Sequence, residues 1–585
     1  MKLRLKALIG AAVAGAIGIT ALLPAGAADE RKPDSVLYLW AGDKGEGPVV
    51  NNKEFDVPDD NDFLAVVDSD PDSPTYGKVL RTISVPTAGI GNEPHHMQPF
   101  TPSNCNRLFA GSLFSDFWWT YNIDNPLKPV QDGTITPAQT SGFVPDAAFV
   151  LPNCEALGTE MGGDPTTGSY LGGPHGTVVR LSADGSSVLE TQLADRVGLD
   201  DTCESQWNPS THAHKPGGPF TRKTSVGDCL PSNPHGIWGR PDLGELVTSD
   251  YATPGQLITP VAPTSSVAKM TVRHYTLSKE CLTEKPSPAG VDCIGDPRVV
   301  LLPDGPRNET NEGHEENVGV METATTNAAG ELNPTGATPT GFLPSKGAFA
   351  TTMCGGVLYY SADITAKQPK WREVFDFTTA GQAVDGQSKA NGSTSGCAGG
   401  GGVAVSPDNR YVVHTIVGRD AGQTNNFIGS ATNPYGFPGM VVKVDISKLI
   451  AAGTQPSCKI DTTREVWEGG QENDCPTLSA VHVVDDRSTG GPHFFSFDYP
   501  DWNDGNHRLA YFDYFVSETG VGGDNRVCML DFDKFELDGN FPSAVDGQSP
   551  GSGCIQFNRA DWPGDRGDQA GPAKPHYGIF ENTTR

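Results

Sequence analysis

A proline–histidine pair recurs along this chain at four places that look structurally equivalent: Pro94-His95, Pro234-His235, Pro492-His493 and Pro575-His576. Each opens a short apolar run, as in PHHMQPF, PHGIWGRPD, PHFFSFDYPD and PHYGIF. Pro145-Asp146, in PDAAFVLPN, fits the same template with a carboxylate in place of the imidazole. Imidazole is the commonest side-chain metal ligand. If the five segments are the same strand of successive repeats, the fold gathers His95, Asp146, His235, His493 and His576 at one point. Three or four imidazoles with one carboxylate suit copper, iron, zinc or nickel, and copper binds such sets most tightly. A lone Pro-His reads as a turn followed by a half-exposed histidine. Four at one repeat position, out of 13 histidines in the chain, point instead to a metal centre. Asp146 could then ligate, orient an imidazole or accept a proton.

The elements that must position these residues are short strands. The chain has 70 Gly and 47 Pro among 585 residues and almost no sustained 3.6-residue periodicity, a composition of strands and turns. Seven units can be laid out, opening at Pro94, Pro145, Pro234, about Asn317, near Gly399, at Pro492 and at Pro575. In the second, Ala183-Asp184-Gly185 is a hairpin signal. The last unit is composite: PHYGIF lies near the C-terminus, whereas SVLYLWAG, DFLAVVDSD and KVLRTISV lie near the N-terminus. Four-stranded units with one completed from both chain ends are how a β-propeller closes its ring. The expected fold is therefore all-β, a seven-bladed β-propeller closed by N- and C-terminal strands. A β-sandwich would not need those strands to complement each other. Repeat spacings of roughly 50 to 95 residues exceed the usual 40–50 of a blade. The excess falls in Gly/Pro/Ser/Asn-rich insertions at 197–232, 255–268, 282–316, 379–398, 420–438 and 459–490.

In a propeller the first strand of each blade lines the central channel. The Pro-His blades six, seven, one and three, with the Pro-Asp blade two, are consecutive around the ring. Blades four and five are expected to leave a gap. His96 follows His95, and strand alternation sends the two to opposite faces unless a bulge turns both inward. One would ligate and the other support it. Glu322, in NVGVMETA on the first strand of blade four, reads as a solvated strand residue, with second-shell orientation the lesser reading. Trp118 and Trp119 read as core rather than as a pocket roof.

Residues 1–27 read as an export signal: Lys2, Arg4 and Lys6 precede an apolar stretch, and Ala25-Gly26-Ala27 offers a cleavage site. Residues 28–585 then form a single propeller domain in a periplasmic or extracellular, oxidising compartment. No later segment approaches the roughly 20 apolar residues of a spanning helix. The net charge of −29, or −32 without the three signal cations, disfavours nucleic acid, which is bound by neutralising phosphate. Twelve cysteines in an exported chain suggest disulfides. They fall in the sequential couples Cys105/Cys154, Cys203/Cys229, Cys281/Cys293, Cys354/Cys397, Cys458/Cys475 and Cys528/Cys554. Connectivity stays open, but neighbour pairing would staple each long loop to its own repeat.

GNEPHHMQPF, NPHGIWGRPDLGELVTSDY, GPHFFSFDY with RLAYFDYFV, and GPAKPHYGIF resemble the bacterial selenium-binding-protein family, which includes the methanethiol oxidases. DFLAVVDSDPDSPTYGKVLRTISVP is similar as well, so the resemblance runs through nearly the whole of residues 28–585. It implies a seven-bladed propeller and a copper-dependent oxidation of methanethiol by O2 to formaldehyde, hydrogen sulfide and hydrogen peroxide. His95 and His96 match the family's paired histidines, and His235, His493 and His576 match its Pro-His positions. The animal members carry a CxxC after the paired histidines where only Cys105 stands here. Asp146 stands where methanethiol oxidases have a further histidine.

The implied partners are a small thiol and O2. Two other readings compete: a non-catalytic metal- or selenium-binding propeller, and a different His-ligated metal oxygenase such as an iron enzyme. A calcium lactonase would want more carboxylate and amide than imidazole. His212, His214 and His314 lie in insertions and read as solvated, and Asn308, Asn391 and Asn582 head glycosylation sequons.

Overall fold

Alternating apolar and polar residues between turns make strands whose inner faces must be covered. In the computed structural model they assemble into seven four- or five-stranded sheets around one axis, beside two separate two-stranded pairs. The structure describes residues 31–584 apart from 44–48, 51–52, 55–60, 87–93, 114, 163–175, 195–206, 209–212, 215–231, 253–267, 303–319, 333–335, 353–356, 378–399, 417–438, 459–473, 485–491, 513–524, 544, 546, 560–561 and 567–570. The proposed signal, His212, His314, Asn308, Asn391 and the couples Cys203/Cys229 and Cys354/Cys397 lie outside these residues, as does most of the insertion sequence. Pro33–Arg585 form one compact unit.

Blade one is built from Pro94–Met97, Arg107–Ser112, Trp118–Asn122 and Val130–Ile135, paired in that order, and blades two to five repeat the pattern from Pro145–Val150, Pro234–Arg240, Val320–Thr325 and Gly400–Val405. Blade six starts at Phe494–Phe497. Its fourth position is shared by two short strands, Glu536–Leu537 and Cys554–Gln556, which both pair with Arg526–Asp531. In blade two the Thr177–Leu181 and Val188–Leu193 strands turn at Gly185, whose φ of 66° suits glycine.

The seventh blade is the composite one. Gly571–Asn582 pairs with Ser35–Asp43, which pairs with Phe63–Asp68 and then Val79–Ser84. The register runs Leu37↔Phe580, Leu39↔Gly578 and Trp40↔Tyr577. Thr583 and Asp34 extend the join by a backbone hydrogen bond of 2.9 Å. The seven innermost strands touch one another in ring order, Phe494–Phe497 meeting Gly571–Asn582, which in turn meets Pro94–Met97. No sheet edge is left at the closure, which removes a site for edge-to-edge association.

Between neighbouring sheets the apolar faces interdigitate. Trp118 and Trp119 point to opposite sides of their strand. Trp119 joins the core shared with blades six and seven, and Trp118 the core shared with blade two. Both are fully buried core residues. Three disulfides, Cys281–Cys293, Cys458–Cys475 and Cys528–Cys554, lie within their own blades. Cys105–Cys154 does not: it joins the first hairpin of blade one to that of blade two. Stapling to the same repeat therefore fails for this couple, because the two hairpin turns sit side by side at the rim.

Candidate metal centre

A regular strand would point His95 and His96 to opposite faces. Instead the innermost strands carry a bulge at the same place. In blade one Pro94 pairs with Ser112 and Met97 with Ala110, so His95 and His96 together oppose one residue, Gly111. Blade two does the same with Asp146 and Ala147, blade three with His235 and Gly236, and blade five with Gly401 and Gly402. Blade four has one extra residue at Met321, and in blade seven His576 is the residue skipped between Pro575 and Tyr577. A bulge re-aims side chains and is common beside functional sites. Here it brings both His95 and His96 to the same carboxylate.

His95 Nδ1 lies 2.8 Å and His96 Nδ1 2.9 Å from Asp146 Oδ1, and His235 Nδ1 is 3.3 Å from Asp146 Oδ2. Donor atoms of His95, His96, Asp146 and His235 all fall within 4.8 Å of one another, and His96, His493 and His576 form a second such group sharing His96. His493 and His576 have ring centroids 5.0 Å apart. The four histidines and the aspartate foreseen from the repeat are thus together and buried, and the bulge adds His96 to them. Backbone ties fix their height: the His235 carbonyl accepts from Thr159 Oγ1 at 2.6 Å, and the His493 carbonyl from Thr415 Oγ1 and the Gly402 amide, both at 2.8 Å.

Glu322 is a correction. It is 5 % exposed rather than solvated, with Oε1 2.9 Å from His235 Nδ1 and 3.7 Å from His96 Nδ1. Blade four is therefore not vacant. Glu322 stands two residues after Val320, the same offset that separates His96 from Pro94. A sequence signal existed in Gly236: a Cβ there would come within 1.9 Å of Glu322 Oε2. The Gly after Pro234-His235 leaves room for a carboxylate from the next blade.

These contacts have hydrogen-bond lengths without hydrogen-bond angles. Among the described residues, His95 Nδ1, both nitrogens of His96, both oxygens of Asp146, His235 Nδ1 and Glu322 Oε1 have no hydrogen-bond partner, although all are buried. An unmet buried polar atom costs about 1–3 kcal/mol. Seven of them would rival the ~5–15 kcal/mol net stability of a typical domain. Ligand atoms about 2.0–2.2 Å from a shared tetrahedral ion lie about 3.3–3.6 Å from each other; the imidazole–carboxylate separations of 2.8–3.3 Å run shorter, and all four donors lie within 4.8 Å of one another. The donor set fits a metal ion at the point where these atoms converge.

Protonation agrees with that chemistry. Burial holds His96 down to about 3, His95 adding to the effect and Asp146 opposing it. Burial and neighbouring imidazoles likewise keep His493 and His576 well below the ordinary value. Their lone pairs are thus available to a cation. Burial works against the charge of Asp146, but His235, His95 and His96 outweigh it and hold the carboxyl well below the usual range. Burial pushes Glu322 up to about 7. His235 rises despite burial, because Asp146 and Glu322 face it.

Fold and site define a seven-bladed propeller whose channel mouth carries a buried histidine–carboxylate centre able to hold a metal ion. No protein-family model matches the chain. Over 130 residues it is 33 % identical to the methanethiol oxidase of Hyphomicrobium sp., a match covering 21 % of this chain and 29 % of that enzyme, so less than a third of the relative's length is spanned. It superposes on a hypothetical selenium-binding protein from Sulfolobus tokodaii with a TM-score of 0.54 and 12 % identity, covering 94 % of this chain and 95 % of the other. The structural likeness shows the fold, and the sequence likeness is confined to those 130 residues.

Proposed function

We propose that this protein is an exported, copper-dependent oxidase of a small thiol such as methanethiol. One thiol, one O2 and one water would give formaldehyde, hydrogen sulfide and hydrogen peroxide, the carbon losing two electrons and O2 gaining them. The observation that carries the reading is the convergence of unpartnered donor atoms from His95, His96, Asp146 and His235 on one point. The 33 % match to a methanethiol oxidase supports the substrate. The signal-like residues 1–27 and the four described disulfides support export. Among the described residues no helix is long and apolar enough to cross a membrane.

His95, His96, His235 and Asp146 would hold the metal, with His493 and His576 closing its other side. A bound copper ion would supply a coordination position for thiolate and a route for its electrons to O2. The residues themselves do the rest. Asp146 neutralises the cation and sets the spacing of three imidazoles. Glu322 orients His235 and is placed to accept at Oε1 the proton a thiol loses on binding. Burial keeps bulk water from the site.

The test is oxygen uptake by copper-reconstituted protein given methanethiol, with sulfide and peroxide measured together. Methanethiol-dependent uptake with both products supports the oxidase. Full copper loading without uptake makes the protein a metal-binding propeller instead.

A further inference from the structure

The apolar runs after each Pro-His do not simply fill the channel. They leave a cavity lined by His96, Glu322, Phe494 and Tyr577 and also by Trp238, on the His235 strand, and Tyr499, just past Phe494–Phe497. The volume open to the centres of water-sized molecules is about 30 Å³. Since one such molecule occupies about 10–15 Å³ by this measure, there is room for two or three heavy atoms. The walls are mostly apolar, with Glu322, Thr323 and Ser496 among the polar exceptions: Ala147 and Ala404 are 7 % and 8 % exposed, and their small side chains help to keep the space open. Phe494 forms the boundary with the histidines, its ring centroid 4.3 Å from that of His96 and 4.8 Å from that of Tyr577.

We propose that this cavity seats the substrate's alkyl group, admitting one or two carbons, and that Phe494 sets the length limit. The inference rests on the thiol reading above for the identity of the substrate. A thiol whose sulfur occupies the His96 end of this cavity has only the remaining space in it for its carbon. Methanethiol has two heavy atoms and ethanethiol three, which match the space. A fourth must displace a packed wall, and one methylene too many in such a pocket is worth about 10- to 200-fold.

The experiment reads binding without turnover. The protein is loaded with cobalt(II), and the thiolate-to-cobalt charge-transfer absorption is titrated with methanethiol, ethanethiol, 1-propanethiol and 1-butanethiol. Wild-type protein should bind the two longer thiols at least about tenfold more weakly than methanethiol. Phe494→Ala should narrow the butanethiol-to-methanethiol ratio by about tenfold or more, and Ala404→Leu should move the cutoff below ethanethiol. If Phe494→Ala does not fold, Ala404→Leu decides. A flat series, a cutoff unmoved by the folded variants, or no cobalt–thiolate band at all overturns the proposal. A protein that shows the cutoff but consumes no oxygen with any thiol keeps the pocket and loses the oxidase. One that oxidises all four equally keeps the oxidase and loses the pocket.

Discussion

Asp146→Asn keeps the volume of the side chain and removes one buried charge. In the structure that carboxylate faces three imidazole nitrogens at 2.8, 2.9 and 3.3 Å and is fully buried. Two roles give two magnitudes. A carboxylate that only orients histidines is worth about 10- to 100-fold in metal affinity. One that sits beside the ion also loses its attraction to a dication, about 8 kcal/mol at 4 Å with an effective dielectric constant near 20. The amide oxygen that replaces it, and the proton His235 no longer holds as tightly in the metal-free state, offset part of this. About half, or ~4 kcal/mol, should survive, a loss of roughly a thousandfold. Competition with a chelator of known copper affinity measures it, and circular dichroism of the metal-free protein checks the fold. A loss of 10- to 100-fold would refute ligation by Asp146 and leave it an orienting role. A loss below tenfold would refute the metal reading of the whole cluster.

Three further outcomes are expected. Glu322→Gln should weaken metal binding by about 10- to 100-fold through His235, read by the same competition, and unchanged affinity would remove Glu322 from the site. His414, bonded to the Gly402 carbonyl at 2.9 Å, is pushed down to about 4 by burial. Its contribution to stability is full above pH 6.5 and is lost as pH falls toward 4, at up to about 1.4 kcal/mol per pH unit. Metal-free His414→Gln should therefore show a flatter fall in stability across that window, and an identical slope would contradict the burial argument. Replacing Cys105 and Cys154 by serine frees a 49-residue loop and should lower stability by about 4 kcal/mol on the chain-entropy account, seen in denaturant titration.

The repeat was legible because one position carries chemistry in five blades. In five blades a proline precedes the residue that reaches the channel mouth, so His95, Asp146, His235, His493 and His576 could be placed in the ring from the sequence. The composite seventh blade was equally legible, since SVLYLWAG needs a partner and PHYGIF supplies one. The bulges were not. Two residues opposing one is a backbone choice with no composition of its own, and alternation alone sends His95 and His96 apart. Glu322 was missed because blade four has no Pro-His signal, only Val320-Met321-Glu322. Its burial follows from the space beside Gly236, which depends on the next blade. The crossing of Cys105–Cys154 was hidden for the same reason, since sequence order says nothing about which rim turns are neighbours.

Elemental analysis of the protein recovered from an oxidising compartment bears most directly on the histidine–carboxylate centre. The account predicts about one transition-metal ion per chain after copper reconstitution, and its loss in His96→Ala and in His235→Ala with the propeller still folded. Undiminished metal in both folded variants would contradict it.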